Sequence, residues 1–155
     1  MKTRSILLLL MAWLISISAL ASPPDTLVVK IMGMHEDARF EPAIIQVQPG
    51  DVIRFEVAEG LHTVTAYHPD NRRPLRIPEN AQSFDSGMLT AGQVWFLTLD
   101  EIGVYDYFCL PHERMGHAGR IISGSKKRNP KFDDSLIPEA VVKTLNEATL
   151  HYSNQ

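Results

Sequence analysis

The sequence predicts an all-β sandwich with a helical C-terminal extension. Short segments rich in β-branched and aromatic residues recur along most of the chain. Gly, Pro and Asp separate them at turn-like spacing, the pattern of a sandwich built from many short strands. Composition then changes after Gly124, where a basic stretch leads into a segment with helical spacing.

The start reads as a leader. Met1-Lys2-Thr3-Arg4 is basic, an apolar run from Ile6 to Leu20 follows, and Ala19-Leu20-Ala21 ends it as a small-x-small cleavage site. The run is shorter than the ~20 apolar residues that span a bilayer. Residues 1–21 are therefore read as a signal peptide cleaved after Ala21, leaving an exported, periplasmic chain with no stable membrane insertion. Loss of Lys2 and Arg4 leaves 13 basic against 18 acidic residues, a formal charge of −5 that argues against nucleic acid as a partner.

The elements follow in order. Thr26–Met32 (TLVVKIM) is the first strand, and Ile44–Val47 is the next. Gln48-Pro49-Gly50-Asp51 makes a turn into Val52–Val57, whose VIRFEV alternates at period two. Residues 62–66 (HTVTA) form a further strand. Residues 67–83 are polar and proline-bearing, so they read as a loop or a short helical excursion. Strands follow at 94–99, 103–109 and 120–122. About 134 residues suit one core, so 22–124 is taken as one domain. Residues 125–155 comprise the linker Lys126-Lys127-Arg128-Asn129-Pro130-Lys131 and a helix over 138–150, with Pro138 near its first turn. Val141, Leu145, Ala148 and Tyr152 share one face, which predicts that this helix packs back on the sandwich; the alternative is a solvated tail.

The chain has one cysteine, Cys109, in Cys109-Leu110-Pro111-His112-Glu113-Arg114-Met115-Gly116-His117. A lone Cys in an oxidising compartment makes no internal disulfide. Here a thiol, two imidazoles and a thioether share one loop, and His62 lies upstream in Gly60-Leu61-His62-Thr63-Val64. One Cys, two His and a weak axial fourth ligand form the donor set of a mononuclear copper electron-transfer site. Structural zinc sites usually draw on more than one Cys, which disfavours zinc. His35, His68 and His151 have no partners at ligand spacing and read as surface residues. On a period of two, Tyr105, Tyr107 and Cys109 face the core, while Asp106 and Phe108 face away.

At these residues the chain resembles the cupredoxin family in its plastocyanin and pseudoazurin branch. The matching pieces are Phe40-Glu41-Pro42, Val47-x-Pro49-Gly50-Asp51, His62-x-Val64, Ile77-Pro78-Glu79-x-Ala81-x-x-Phe84-x-Ser86, and Gly103-x-Tyr105 through Gly119-x-Ile121. The resemblance implies a Greek-key β-sandwich and one copper per chain. It makes His62, Cys109 and His112 the equatorial ligands, with His112 near the exposed end. Thr63 stands where the family usually has Asn.

Two registers compete for the axial ligand. A short loop, as in amicyanin, selects Met115; a longer one, as in plastocyanin and pseudoazurin, selects His117. The frame His117-Ala118-Gly119-Arg120-Ile121 matches the family's following strand without a gap, which favours His117. Such an axial imidazole would respond to acid near neutral pH.

The resemblance implies a monomeric one-electron carrier whose partners are redox proteins such as a c-type cytochrome or a copper or haem oxidoreductase. A copper-binding, copper-tolerance protein is the alternative. An enzyme is disfavoured, since the chain has no His-x-His or His-Cys-His cluster and only one Cys. Partner contacts are expected at Phe108 and Arg114, with Arg72, Arg73 and Arg76 bordering the same end or scattered and solvated.

Overall fold

The computed structural model describes residues 26–125 and 131–153. The leader at 1–21, its cleavage point and the basic residues 126–130 lie outside the described residues. The strands are β1 (Thr26–Met32), β2 (Arg39–Glu41), β3 (Ile44–Val47), β4 (Val52–Val57), β5 (Leu61–His62), β6 (Thr65–Ala66), β7 (Leu89–Thr90), β8 (Val94–Thr98), β9 (Gly103–Phe108) and β10 (Ala118–Ser123). A single α-helix, α1 (Glu139–Ser153), follows them among the described residues.

Two four-stranded sheets stack, ordered β2-β1-β4-β8 and β3-β10-β9-β6, and a small third sheet pairs β5 with β7. The first and second sheets are mixed. β1 runs parallel to β4, from Thr26↔Val52 to Ile31↔Val57, and β3 runs parallel to β10. In β4 the VIRFEV alternation places Ile53, Phe55 and Val57 inward. With Val29 and Ile31 of β1 they meet Tyr105, Tyr107 and Cys109 of β9 in one core. Burying this apolar surface, at roughly 25 cal/mol per Å², is the main force that joins the sheets.

β9 and β10 differ from β4, because every residue in both is buried. The C-terminal extension covers their outer face. Val141 and Leu145 of α1 pack with Tyr67, Phe108, Ala118 and Ile137. One turn further on, Ala148 and Tyr152 lie against Ile44, Val104 and Ile122. The Tyr152 hydroxyl also donates to Gln46 Oε1 at 2.6 Å. Phe108 therefore faces away from the sandwich core, as alternation requires, yet it is buried beneath the helix.

The same covering internalises charge. Asp106 is fully buried and accepts from Arg76 Nε at 2.9 Å and from Arg120 Nε at 2.6 Å. Arg76 also reaches Asp134 at 3.0 Å, which ties the extension to the sheet. Such a carboxylate is tolerated inside only when its charge and hydrogen bonds are matched. Arg76 is thus a structural cation rather than part of an exposed rim.

Other departures are local. The expected strand 62–66 divides: β5 pairs with β7, β6 pairs with β9, and Thr63 and Val64 cross between the sheets. β2 and β7 are three and two residues long, too short to carry a readable alternation. The loop 67–83 contains one 3₁₀ turn at Pro69–Asn71, closed by Arg72 in the left-handed region. Among the described residues no helix is long and apolar enough to cross a membrane.

Candidate metal centre

Four side chains converge where the crossing segment meets the end of β9: His62, Cys109, His112 and His117. Their candidate ligand atoms all lie within 4.8 Å of one another. Cys109 Sγ is 3.5 Å from His62 Nδ1 and 3.4 Å from His112 Nδ1.

Each group is placed by backbone structure. His62 ends β5, and its Nε2 faces two carbonyls, Gly33 at 3.1 Å and Glu59 at 2.9 Å. A carbonyl only accepts, so Nε2 carries the proton and Nδ1 presents a lone pair toward Cys109. Gly60 permits this approach: its φ is +84°, and a Cβ there would lie 2.7 Å from His62 Nε2. Cys109 follows β9 on the core face, and its sulfur accepts from the Thr63 N–H at 3.4 Å. His112 sits in a 3₁₀ turn, Leu110–Met115, begun by Pro111. That turn is tied back where the Leu110 N–H donates to Thr63 Oγ1 at 2.8 Å. Thr63 therefore tethers the ligand loop. His117 enters β10 with its carbonyl accepting from the Cys109 N–H at 2.9 Å.

Gly116, just before His117, has φ +88°. A Cβ at this position would come 2.9 Å from the Ala140 carbonyl of α1, so the helix lies directly against the ligand loop.

Burial dominates the electrostatics at Cys109, His112 and His117. Burial pushes the Cys109 thiol up to about 11, against the lowering effect of the Thr63 N–H. The thiol holds its proton at neutral pH until a cation displaces it. Burial first, then His62 and His112, push His117 down to about 2, with a weaker opposing pull from the Arg39 carbonyl. Burial therefore holds the uncoordinated ring well below the range in which a free histidine titrates. His112 is also lowered, chiefly by burial.

His117 is 1 % exposed, packs against Phe40 at 4.1 Å between ring centroids, and has no well-formed hydrogen bond to either ring nitrogen, the Arg39 carbonyl exerting only a weak pull. A buried polar group without a partner costs free energy, on the order of 1–3 kcal/mol. Another imidazole and a thiol lie beside it, so a cation at the centre of the cluster would satisfy it. Met115 is different: it is 46 % exposed and lines a surface crevice with Glu36, Asp37 and Thr144.

The partner-contact residues separate. Arg114 is exposed, as is Arg72. Phe108 is fully buried, with the Tyr67 ring at 4.5 Å and the Arg73 guanidinium at 5.0 Å, so it offers no contact surface. Arg73 pairs with Glu113, which is buried and also accepts from the Tyr67 hydroxyl at 3.0 Å. Sequence reasoning missed Glu113, because a charged loop residue normally reads as solvated. His35 and His151 are exposed, and His68 Nδ1 accepts from the Asp70 N–H at 3.1 Å.

Residues 27–123 match the family model for copper-binding proteins of the plastocyanin/azurin family. The chain belongs to that family. This plastocyanin/azurin-family chain is 34 % identical over 90 residues to a pseudoazurin from Paracoccus pantotrophus, covering 58 % of this chain and 56 % of that relative. It thus spans little more than half of that relative's length. A pseudoazurin from Methylorubrum extorquens is 26 % identical over 117 residues, covering 72 % of this chain and 71 % of the other. The crystal structure of pseudoazurin from Methylobacterium extorquens AM1 shares the cupredoxin fold, with a TM-score of 0.55, 22 % identity, and coverage of 79 % of this chain and 98 % of that one. The family's cofactor is copper, and the cluster of three imidazoles and one thiol is a place where this member could hold a single ion.

Proposed function

We propose that the mature chain, residues 22–155, is a periplasmic one-electron carrier with a single copper held by His62, Cys109, His112 and His117. In this reading 22–124 is the copper domain and 125–155 its linker and helical cap. The observation that carries it is the cluster itself, with ligand atoms of one thiol and three imidazoles within 4.8 Å. Bound copper would supply a one-electron couple. The protein supplies the setting: two carbonyls hold His62 in one tautomer, Thr63 tethers the loop, and Phe40 packs on His117. Ligands preset in this way leave little to rearrange between oxidation states.

The export reading rests on the leader sequence. His112 alone of the four is partly exposed, which makes its edge the natural exit for an electron. Leu110 and Met115 flank it in the loop, and Leu61 and Met34 lie beside His62; all four are exposed and offer an apolar docking surface. The partner class is a redox protein such as a c-type cytochrome or a copper or haem oxidoreductase, met by a monomer that is not itself an enzyme.

One observation favours a second reading, copper retention for tolerance. The fourth group is an imidazole, which binds Cu(II) more strongly than a thioether does. Redox titration of the copper-loaded protein with a stopped-flow mediator decides between them. A reversible one-electron change with rapid exchange supports the carrier. A site that holds Cu(II) and exchanges electrons slowly supports retention, and a protein that binds no copper contradicts both.

A further inference from the structure

The two residues that flank the Cys109–His112 segment are held by one group of side chains. Phe108 precedes Cys109, and Glu113 follows His112. Arg73 spans both. Its guanidinium lies 5.0 Å from the centre of the Phe108 ring. Its Nε donates to Glu113 Oε1 and Oε2 at 2.9 and 3.0 Å, and its Nη2 donates to Oε2 at 2.6 Å. Tyr67 completes the set, with its ring 4.5 Å from Phe108 and its hydroxyl donating to Glu113 Oε1 at 3.0 Å.

We propose that Arg73, Tyr67 and Glu113 form a clamp that positions the ligand loop, setting where His112 stands relative to Cys109. Arg73 is the key positioning residue. The proposal rests on the copper reading above.

The energetics favour a specifying role over simple stabilisation. Glu113 is 7 % exposed, although it sits in a loop at the surface end of the domain. Burying a carboxylate is costly, and pairing it with a cation often does little more than offset the cost. The pair therefore contributes direction more than net stability. A two-pronged guanidinium fixes the carboxylate in plane and in angle, which a lysine ammonium does not. The 3₁₀ turn of the loop has few other side-chain anchors. Thr63 holds its start through the Leu110 N–H, and Gly116 packs on α1 at its end. Between them, Glu113 is the tie nearest His112. Because Arg73 also stacks on Phe108, a displacement at Glu113 is resisted by the strand that carries Cys109.

The test uses Arg73→Leu, Arg73→Lys and the double variant Arg73→Leu/Glu113→Gln, each as the full mature chain. Removing a residue that orients a metal ligand typically weakens metal affinity about 10–100-fold. Arg73→Leu should therefore release copper to a chelator faster by roughly that factor, and its charge-transfer band should move or split. Arg73→Lys should fall between, since it keeps the charge without the two-pronged contact.

The double variant separates position from stability. It removes the buried charge left by Arg73→Leu, so it should regain resistance to denaturant while its copper release and band stay altered. If the band and the release rate return with stability, or if Arg73→Leu leaves both unchanged, the clamp only supports the fold and the proposal fails. A copper-free measurement keeps this independent of the copper reading. In the apo protein the His112 ring should give one sharp NMR environment, and in Arg73→Leu a broadened or second one. An unchanged His112 signal would overturn the proposal even if the wild type bound no copper.

Discussion

His62 Nδ1 lies 3.5 Å from Cys109 Sγ, although 47 residues separate them in the chain. The contact exists because the segment after β5 crosses from the small sheet to the edge of β9, bringing Thr63 and its ligand neighbour onto the end of the Cys109 strand. The carbonyls of Gly33 and Glu59 behind His62 then leave Nδ1 free to face the sulfur.

Burial favours His117 over Met115 for the proposed axial position. His117 is buried and lacks a well-formed hydrogen bond, whereas Met115 is exposed. His117→Met should give a bluer copper protein with a higher reduction potential, since the axial ligand tunes the couple. Met115→Ala should change spectrum and potential little. Spectra and potentials of the two variants check this. A strong effect of Met115→Ala, with none from His117→Ala, would assign the axial role to Met115.

Acid should weaken the copper-free fold. His117 is held near 2 in the folded state, against about 6.5 for a free histidine. Between these values the unfolded chain binds the proton and the folded chain does not, so stability falls as pH drops below about 6.5. Each pH unit within the window costs about 1.4 kcal/mol for such a group. Urea denaturation of the apo protein at pH 7 and pH 5 should differ by about 1–2 kcal/mol, and His117→Phe should flatten that dependence. An unchanged slope in His117→Phe would assign the acid sensitivity to other groups.

The C-terminal helix should contribute to the stability of the metal strand. Leu145 is 1 % exposed and packs in the cluster that contains Phe108 and Ala118. Leu145→Ala should cost about 2–5 kcal/mol of folding free energy, read by denaturant unfolding. A loss under about 0.5 kcal/mol would mean that the helix detaches readily in solution, the level expected for surface substitutions.

Arg114 is the exposed cation of the ligand loop. If it helps steer an acidic redox partner, Arg114→Ala should lower the association rate at low salt and converge with wild type at high salt. Stopped-flow electron transfer with an acidic cytochrome reads this directly. Equal rates for the two proteins at low ionic strength would remove Arg114 from the docking account.

Part of this was legible because β4 and β9 can be read at period two. VIRFEV and GVYDYF show which residues point inward, and the spacing of Cys109, His112 and His117 on one short loop marks the site. The outer face of β9 was not legible. Alternation put Phe108 and Asp106 there, but it carries no information on whether solvent or another element covers that face. The answer lay in pairings far apart in sequence, between Asp106 and Arg76 or Arg120 and between Phe108 and the helix. For the same reason Arg73 and Arg76 resembled solvated cations, and Glu113 gave no signal. A buried ion pair has no local pattern, because its two halves need only meet in space. The depth of His117 beneath Phe40 was likewise invisible in the loop sequence.

The most direct test is the visible absorption spectrum of the copper-loaded protein, beside that of Cys109→Ser. A thiolate bound to Cu(II) produces an intense charge-transfer band that no other ligand in this cluster can generate. The account predicts one copper per chain, a strong band in the wild type displaced from pure blue toward green or red by the His117 imidazole, and complete loss of that band in Cys109→Ser. A wild type with no such band, or a band that survives Cys109→Ser, would contradict it.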